Sequence, residues 1–239
     1  MVLIIAVVVS FIPYTLLFLW LRGIRKEDPE YRKLCVRALG YGALSTFVVV
    51  LFSAVSNIIL RLTGVKNANP LLYQALYDMI AIALMEEIAK YLFFRRLLRK
   101  NDYPYTLMDM AVLMTIVGIG FGALEAVVYA IGASVPVVLV RGICLPHAGY
   151  GFVVGYFCGK GKEIGKPYYK WIGFLISWMM HGLYDFSLSE ELIAYNDNLV
   201  FIPLLLAVLD IVLVILLIVF IKKTKKRERE ELESAGAAM

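Results

Sequence analysis

The sequence predicts an all-α protein, a polytopic membrane helical bundle with about seven transmembrane helices. Three observations predict it. The chain is 61% hydrophobic with a mean hydropathy of +0.78, where soluble domains hold roughly 45–50% apolar residues. Apolar runs long enough to cross a bilayer recur along all 239 residues, without the alternation of a β-barrel. Basic connectors alternate with neutral or acidic ones, as topology demands of a multi-pass protein.

The first run, MVLIIAVVVSFIPYTLLFLWL, lacks the charged start and small-residue cleavage site of a signal peptide, so it reads as a retained span over residues 1–21. Further spans are expected at 36–60, 71–94, 106–131, 136–158, 169–189 and 199–221. Each covers a hydrocarbon core of roughly 30 Å at about 1.5 Å per residue. Turn chemistry separates them, as in KNANP at 66–70 and GKGKEIGKP at 159–167. Residues 1–221 are therefore expected to form one transmembrane domain, followed by a basic cytoplasmic tail at 222–239.

Arg22, Arg25, Lys26, Arg32 and Lys33 follow the first span, and Arg95, Arg96, Arg99 and Lys100 follow the third. Lys160, Lys162 and Lys166 follow the fifth, and KKTKKRER follows the seventh. The intervening connectors hold only Arg61 and Lys66 in one and no basic residue in GASV or SEELIAYNDN. Cytoplasmic loops accumulate Lys and Arg. The expected location is the cell membrane, with the N-terminus outside and the C-terminus in the cytoplasm. The net charge of +5 sits in these short flanks, which points to the lipid bilayer as partner and to no nucleic acid. The tail also has the composition that attracts anionic headgroups. Cys35, Cys144 and Cys158 lie within or beside apolar runs and offer no disulfide framework.

Against this background the ionisable residues inside the spans stand out. A charge at the bilayer centre costs roughly 2.5–3.5 kcal/mol on the lenient scale and normally faces a partner or a wet cavity. Here Glu86, Glu87 and Lys90 share the third span, Glu125 lies in the fourth, Arg141 and His147 in the fifth, His181 and Asp185 in the sixth. Glu86 and Glu87 stand four and three residues before Lys90, so either can pair with it and one carboxylate remains as a candidate base. His181 and Asp185 are four apart, which lets the carboxylate orient the imidazole. Gly118 and Gly122, and Gly151 and Gly155, recur at the spacing that brings membrane helices close beside Glu125 and His147. Pro146 is expected to bend the helix at His147. Counted along straight helices, Glu86 and Glu125 fall at different depths, so a tilt is needed to join them. Asp210 in the last span has no evident role.

Two carboxylates, two histidines and a lysine in a buried cavity suit amide hydrolysis, which needs a base for water and a donor for the oxyanion. Glu125, His147 and His181 also form a candidate set for a divalent metal such as zinc, although no HExxH is present. A glutamate mechanism without metal stays equally open. No GxSxG occurs, and no cysteine has an activating neighbour.

EEIAK (86–90), FGALE (121–125), HAGYG (147–151) and HGLYD (181–185), in this order, resemble the four motifs of the PrsW-type intramembrane proteases, a group related to the CAAX-processing and bacteriocin-processing membrane proteases. The resemblance covers residues 71–190. It implies an intramembrane endopeptidase making a first, site-1 cut in a membrane-anchored protein such as an anti-sigma factor. By position it makes Glu86, Glu87, Glu125, His147 and His181 catalytic and Lys90 and Asp185 supporting. Arg141, outside the motifs, is a further candidate on its own account, as a contact for a substrate carboxylate or a partner of Glu125. The final motif ends in Asp185 where the wider group often has Asn. An ionised Asp cannot donate to an oxyanion, so Asp185 is expected to hold His181 or else to be protonated. The competing readings are a proton-coupled transporter, whose relays use the same residue types, and a non-catalytic membrane binding protein.

Overall fold

A computed structural model describes residues 2–129 and 135–237. Every regular element among them is helical. Helix α1 (Val2–Arg22) leads through a short basic connector to α2 (Pro29–Leu62). Asp28 caps α2 by accepting from the Tyr31 amide at 2.9 Å, with Pro29 at the position where a missing N–H costs nothing. The Tyr103 hydroxyl donates to the other Asp28 oxygen at 2.7 Å, which ties this helix start to a distant connector.

A single turn, α3 (Val65–Ala68), precedes α4 (Pro70–Leu76), a π-helical stretch (Tyr77–Leu84) and α5 (Met85–Arg99), which follow one another without a break. The wider π turn shifts the helix faces ahead of Glu86, and its Met79 carbonyl accepts from the Trp178 indole at 2.6 Å. Helix α6 (Leu107–Tyr129) is central: 78% of its most apolar stretch is buried, against 17% in α2 and 28% in the last helix. It packs most extensively on α8 and then on α2.

The expected fifth span is split into α7 (Val135–Cys144) and α8 (Pro146–Glu163). Leu145 between them has φ 52°, the only positive φ of a non-glycine among the described residues. Such a backbone costs about 1–2 kcal/mol for an L-residue, and here it sets the start of α8 one residue before His147. The expected bend is thus a full break. Helices α9 (Tyr169–Ser187) and α10 (Glu190–Tyr195) and a 3-10 turn (Asp197–Phe201) lead to α11 (Ile202–Ala237). Helix α11 continues through the basic residues that follow position 221.

Three helices, Pro29–Leu62, Leu107–Val128 and Ile202–Ala235, are long and apolar enough to cross a membrane on those grounds alone. Of the other expected spans, the third holds the π stretch and its charges, the fifth is broken at Leu145, the sixth carries the ionisable residues of α9, and the first contributes the shorter apolar helix Val8–Arg22. Exposed Phe47, Val50, Leu51, Leu204, Leu205 and Ile215 give α2 and α11 the outward apolar surface of a lipid-facing bundle.

Candidate active site

Glycine decides how near α6 and α8 can lie. A Cβ on Gly118 would overlap the His147 carbonyl, and one on Gly151 would come 2.5 Å from the Met114 oxygen. The missing side chains let α8 carry His147 onto α6, beside Glu125. Helix α9, packed on α8, brings His181, and α5, packed on α2 and α6, brings its Glu-Glu-Lys set.

Glu87 is wholly buried and fully engaged. Its Oε1 accepts from Lys90 Nζ at 2.6 Å and from His181 Nδ1 at 2.9 Å, and its Oε2 accepts from Ser177 Oγ at 2.9 Å. Lys90 also reaches His147 Nδ1 at 3.0 Å. An ammonium only donates, so this contact makes Nδ1 an acceptor and leaves the proton on His147 Nε2. That nitrogen lies 2.6 Å from Glu125 Oε2, to which it donates. Lys90 Nζ further sits 4.5 Å from the centre of the Phe121 ring, a cation–π contact that helps hold a buried charge.

His181 gives its Nδ1–H to Glu87, and its Nε2 faces two further carboxylates. This nitrogen is buried without a hydrogen-bond partner, and so is Glu86 Oε2, 3.6 Å away. Asp185 Oδ2 lies 3.2 Å from the same nitrogen without the alignment of a hydrogen bond. The two imidazoles meet edge to face at 5.0 Å, and the Tyr150 ring stacks on His181 at 5.2 Å.

All seven expected residues with described side chains therefore meet in one cluster. The depth mismatch between Glu86 and Glu125 disappears, because the chain Glu125–His147–Lys90–Glu87 joins the helices by contacts of 2.6–3.0 Å. One open choice is resolved and two details differ from the sequence reading. Of the two carboxylates open to Lys90, Glu87 forms the ion pair, while the Glu86 carboxylate faces His181. Glu87, not Asp185, orients His181 through Nδ1. The compact ligand set consists of Glu86, His147 and His181, whose donor atoms lie within 4.8 Å of one another, while Glu125 is bonded to His147. The backbone of Arg141 lies in α7, but its side chain falls outside the described residues.

Sequence reasoning missed Ser177 and Tyr150. Ser177 stands one helical turn before His181, on the same face, so the i, i+4 rule that singled out Asp185 applied to it as well. Asp210 gains a place: Tyr150 directs its hydroxyl toward Asp210 Oδ2 at 3.4 Å.

The donor set fits a divalent cation. Two buried atoms without hydrogen bonds, a carboxylate oxygen and an imidazole nitrogen, face each other at 3.6 Å, and Glu87 supplies the partner that a metal-bound histidine normally has on its other nitrogen.

A profile described as "PrsW family intramembrane metalloprotease" matches residues 30–220 of the chain. Among curated proteins, the chain is similar to Protease PrsW of Geobacillus kaustophilus (strain HTA426), 32% identical over 120 residues, which is 47% of this chain and 52% of that protein. Protease PrsW of Clostridioides difficile (strain 630) is 23% identical over 192 residues, 76% of this chain and 78% of the relative. Protease PrsW of Bacillus subtilis (strain 168) is 35% identical over 79 residues, 30% of this chain and 36% of the relative. The chain thus spans about half of the Geobacillus relative and about a third of the Bacillus one. No solved structure matches it.

Proposed function

The chain belongs to the PrsW family of intramembrane metalloproteases, and on that premise we propose that it hydrolyses a peptide bond in a membrane-anchored protein. The substrate class the family resemblance implies is a single-span regulator such as an anti-sigma factor, cut first at its exposed or membrane-entering part. The observation that carries the reading is the pair of facing buried atoms that make no hydrogen bond, Glu86 Oε2 and His181 Nε2, beside a chain of proton-holding groups.

Glu86 and His181 would hold the metal beside His147, whose ring nitrogens stay engaged by Lys90 and by Glu125, so that Glu125 remains ionised. Bound there, the metal would polarise the scissile carbonyl and make water a stronger nucleophile near neutral pH. The chain's own residues divide the remaining work. Glu87 has its lone pairs committed to Lys90, His181 and Ser177, so it positions and does not react. Lys90 fixes His147 from behind and balances the buried carboxylates. Glu125 is the proton-transfer residue: its Oε2 takes a proton from the attacking water and returns it to the leaving amine. Its side chain is 11% exposed, against 1% for both histidines and 8% for Glu86, which suits the group that meets incoming water.

We place the domain as a single membrane unit over residues 1–221 with seven crossings, N-terminus outside and basic connectors in the cytoplasm. The alternation of basic flanks supports this.

The test is cleavage of purified single-span substrates by the reconstituted full chain. Wild type should cut, and Glu125→Gln, Glu86→Gln and excess chelator should each lower the rate by at least about a hundredfold. Cleavage that survives both substitutions would remove the assignment.

A further inference from the structure

At the basic end of the bundle, well away from the histidines, a cavity of about 350 Å³ opens between α5, α6, α8 and the start of α9. Its walls are apolar, formed by Phe94, Leu98, Met110 and Cys158. Its polar side groups are of one sign: Arg95, Lys162 and Lys170 line it, and no carboxylate does. Lys162 donates to the Tyr105 carbonyl at 2.8 Å, which holds it at the rim. Among the described residues, Arg95 and Lys170 have no carboxylate within ion-pair distance. Two other basic residues near this boundary are paired, Arg25 with Asp109 at 2.8 Å and Lys160 with Glu163 at 2.8 Å.

Lys170 is also placed against the local field. It stands in the first turn of α9, which holds no acidic residue. A helix N-terminus carries partial positive charge, so a cation there is disfavoured and an anion favoured. An anion in the cavity mouth relieves that conflict and meets Arg95 and Lys162 together. A free anion gains nothing from the apolar walls behind them. A molecule with an anionic head and a hydrocarbon tail satisfies both parts.

We propose that this cavity is a binding site for an anionic phospholipid, its phosphate held by Arg95, Lys162 and Lys170 and its acyl chain laid against Phe94, Leu98 and Met110. The site is separate from the peptidase reading and stands or falls without it.

The test uses the full-length protein in mixed micelles and native mass spectrometry, with phosphatidylglycerol and phosphatidylcholine as probes. Wild type should retain phosphatidylglycerol over phosphatidylcholine by about tenfold or more. Arg95→Gln/Lys170→Gln should bring the ratio near one, with unchanged thermal unfolding. Lys222→Gln/Lys223→Gln, two exposed cations on α11 that remove the same charge, should keep it. Inorganic phosphate at millimolar concentration should not displace the lipid. Equal loss in both double variants would mean diffuse attraction and overturn the site. So would a wild-type ratio near one, or displacement by phosphate alone.

Discussion

Glu87 and Glu86 are neighbours in sequence with opposite circumstances. Glu87 is bonded on both oxygens, whereas Glu86 presents an oxygen without a hydrogen bond to His181. Removing the charge at Glu87 strands Lys90 and His181 in a dry site, and breaking a buried pair costs about 3–5 kcal/mol. Glu87→Gln should therefore lower the thermal unfolding temperature in detergent as well as abolish cleavage, whereas Glu86→Gln should abolish cleavage with little loss of stability. Equal destabilisation by both would contradict the division. Tyr150 allows a second residue-scale test. Its hydroxyl contact with Asp210 is long at 3.4 Å, while its ring stacks on His181. Tyr150→Phe should keep most activity, and Tyr150→Ala should lose about 3 kcal/mol of stability and nearly all cleavage. The sequence made the acids and imidazoles legible because charge in an apolar run is conspicuous. It hid Ser177 and Tyr150 because a serine or tyrosine in a membrane helix is ordinary.

Helices depend on small local devices, and these were read unevenly. The glycine spacing in α6 and α8 pointed to a close approach, and the structure places Gly118 against the His147 carbonyl. Gly118→Ala should push the two helices apart, cost about 1–3 kcal/mol and reduce cleavage. Gly40, in α2 with open space around it, gives the converse: Gly40→Ala should stabilise by about 0.5–1 kcal/mol with activity kept. Thermal unfolding of the two variants side by side checks both. The π-helical stretch before Glu86 was not legible, since one extra residue per turn leaves no mark in an unbroken apolar run. The break at Leu145 was legible only as a bend, because proline marks the start of α8 but not the backbone conformation before it. Asp28 offers a pH test outside the membrane. The Tyr31 amide, then the Tyr103 hydroxyl, hold its carboxyl below the ordinary value of 3.8. A depressed folded-state value means that its contribution is present above about pH 4 and fades as pH falls through the lowered value. Asp28→Ala should thus cost about 1 kcal/mol at pH 7 and much less in strong acid, as measured by unfolding at both pH values.

At the scale of the molecule, the ionisable residues described gather mainly in a buried cluster where α5, α6, α8 and α9 meet, at a basic end, and in the connectors. The rest is apolar surface suited to lipid. The orientation proposed from basic flanks is checked by labelling single cysteines introduced at Lys162 and Lys66 with an impermeant reagent in intact cells. Lys66 should label from outside and Lys162 should not, and the reverse pattern would open the cluster toward the other compartment. Because the cluster draws on helices far apart in the chain, its assembly is the most demanding part of the account. Metal content of the purified full chain, by inductively coupled plasma mass spectrometry, tests that assembly directly. Wild type should carry about one equivalent of a divalent metal, and Glu86→Gln, His147→Ala and His181→Ala should each lose it although they lie on three different helices. Retention of the full equivalent in any one of the three would contradict a shared centre.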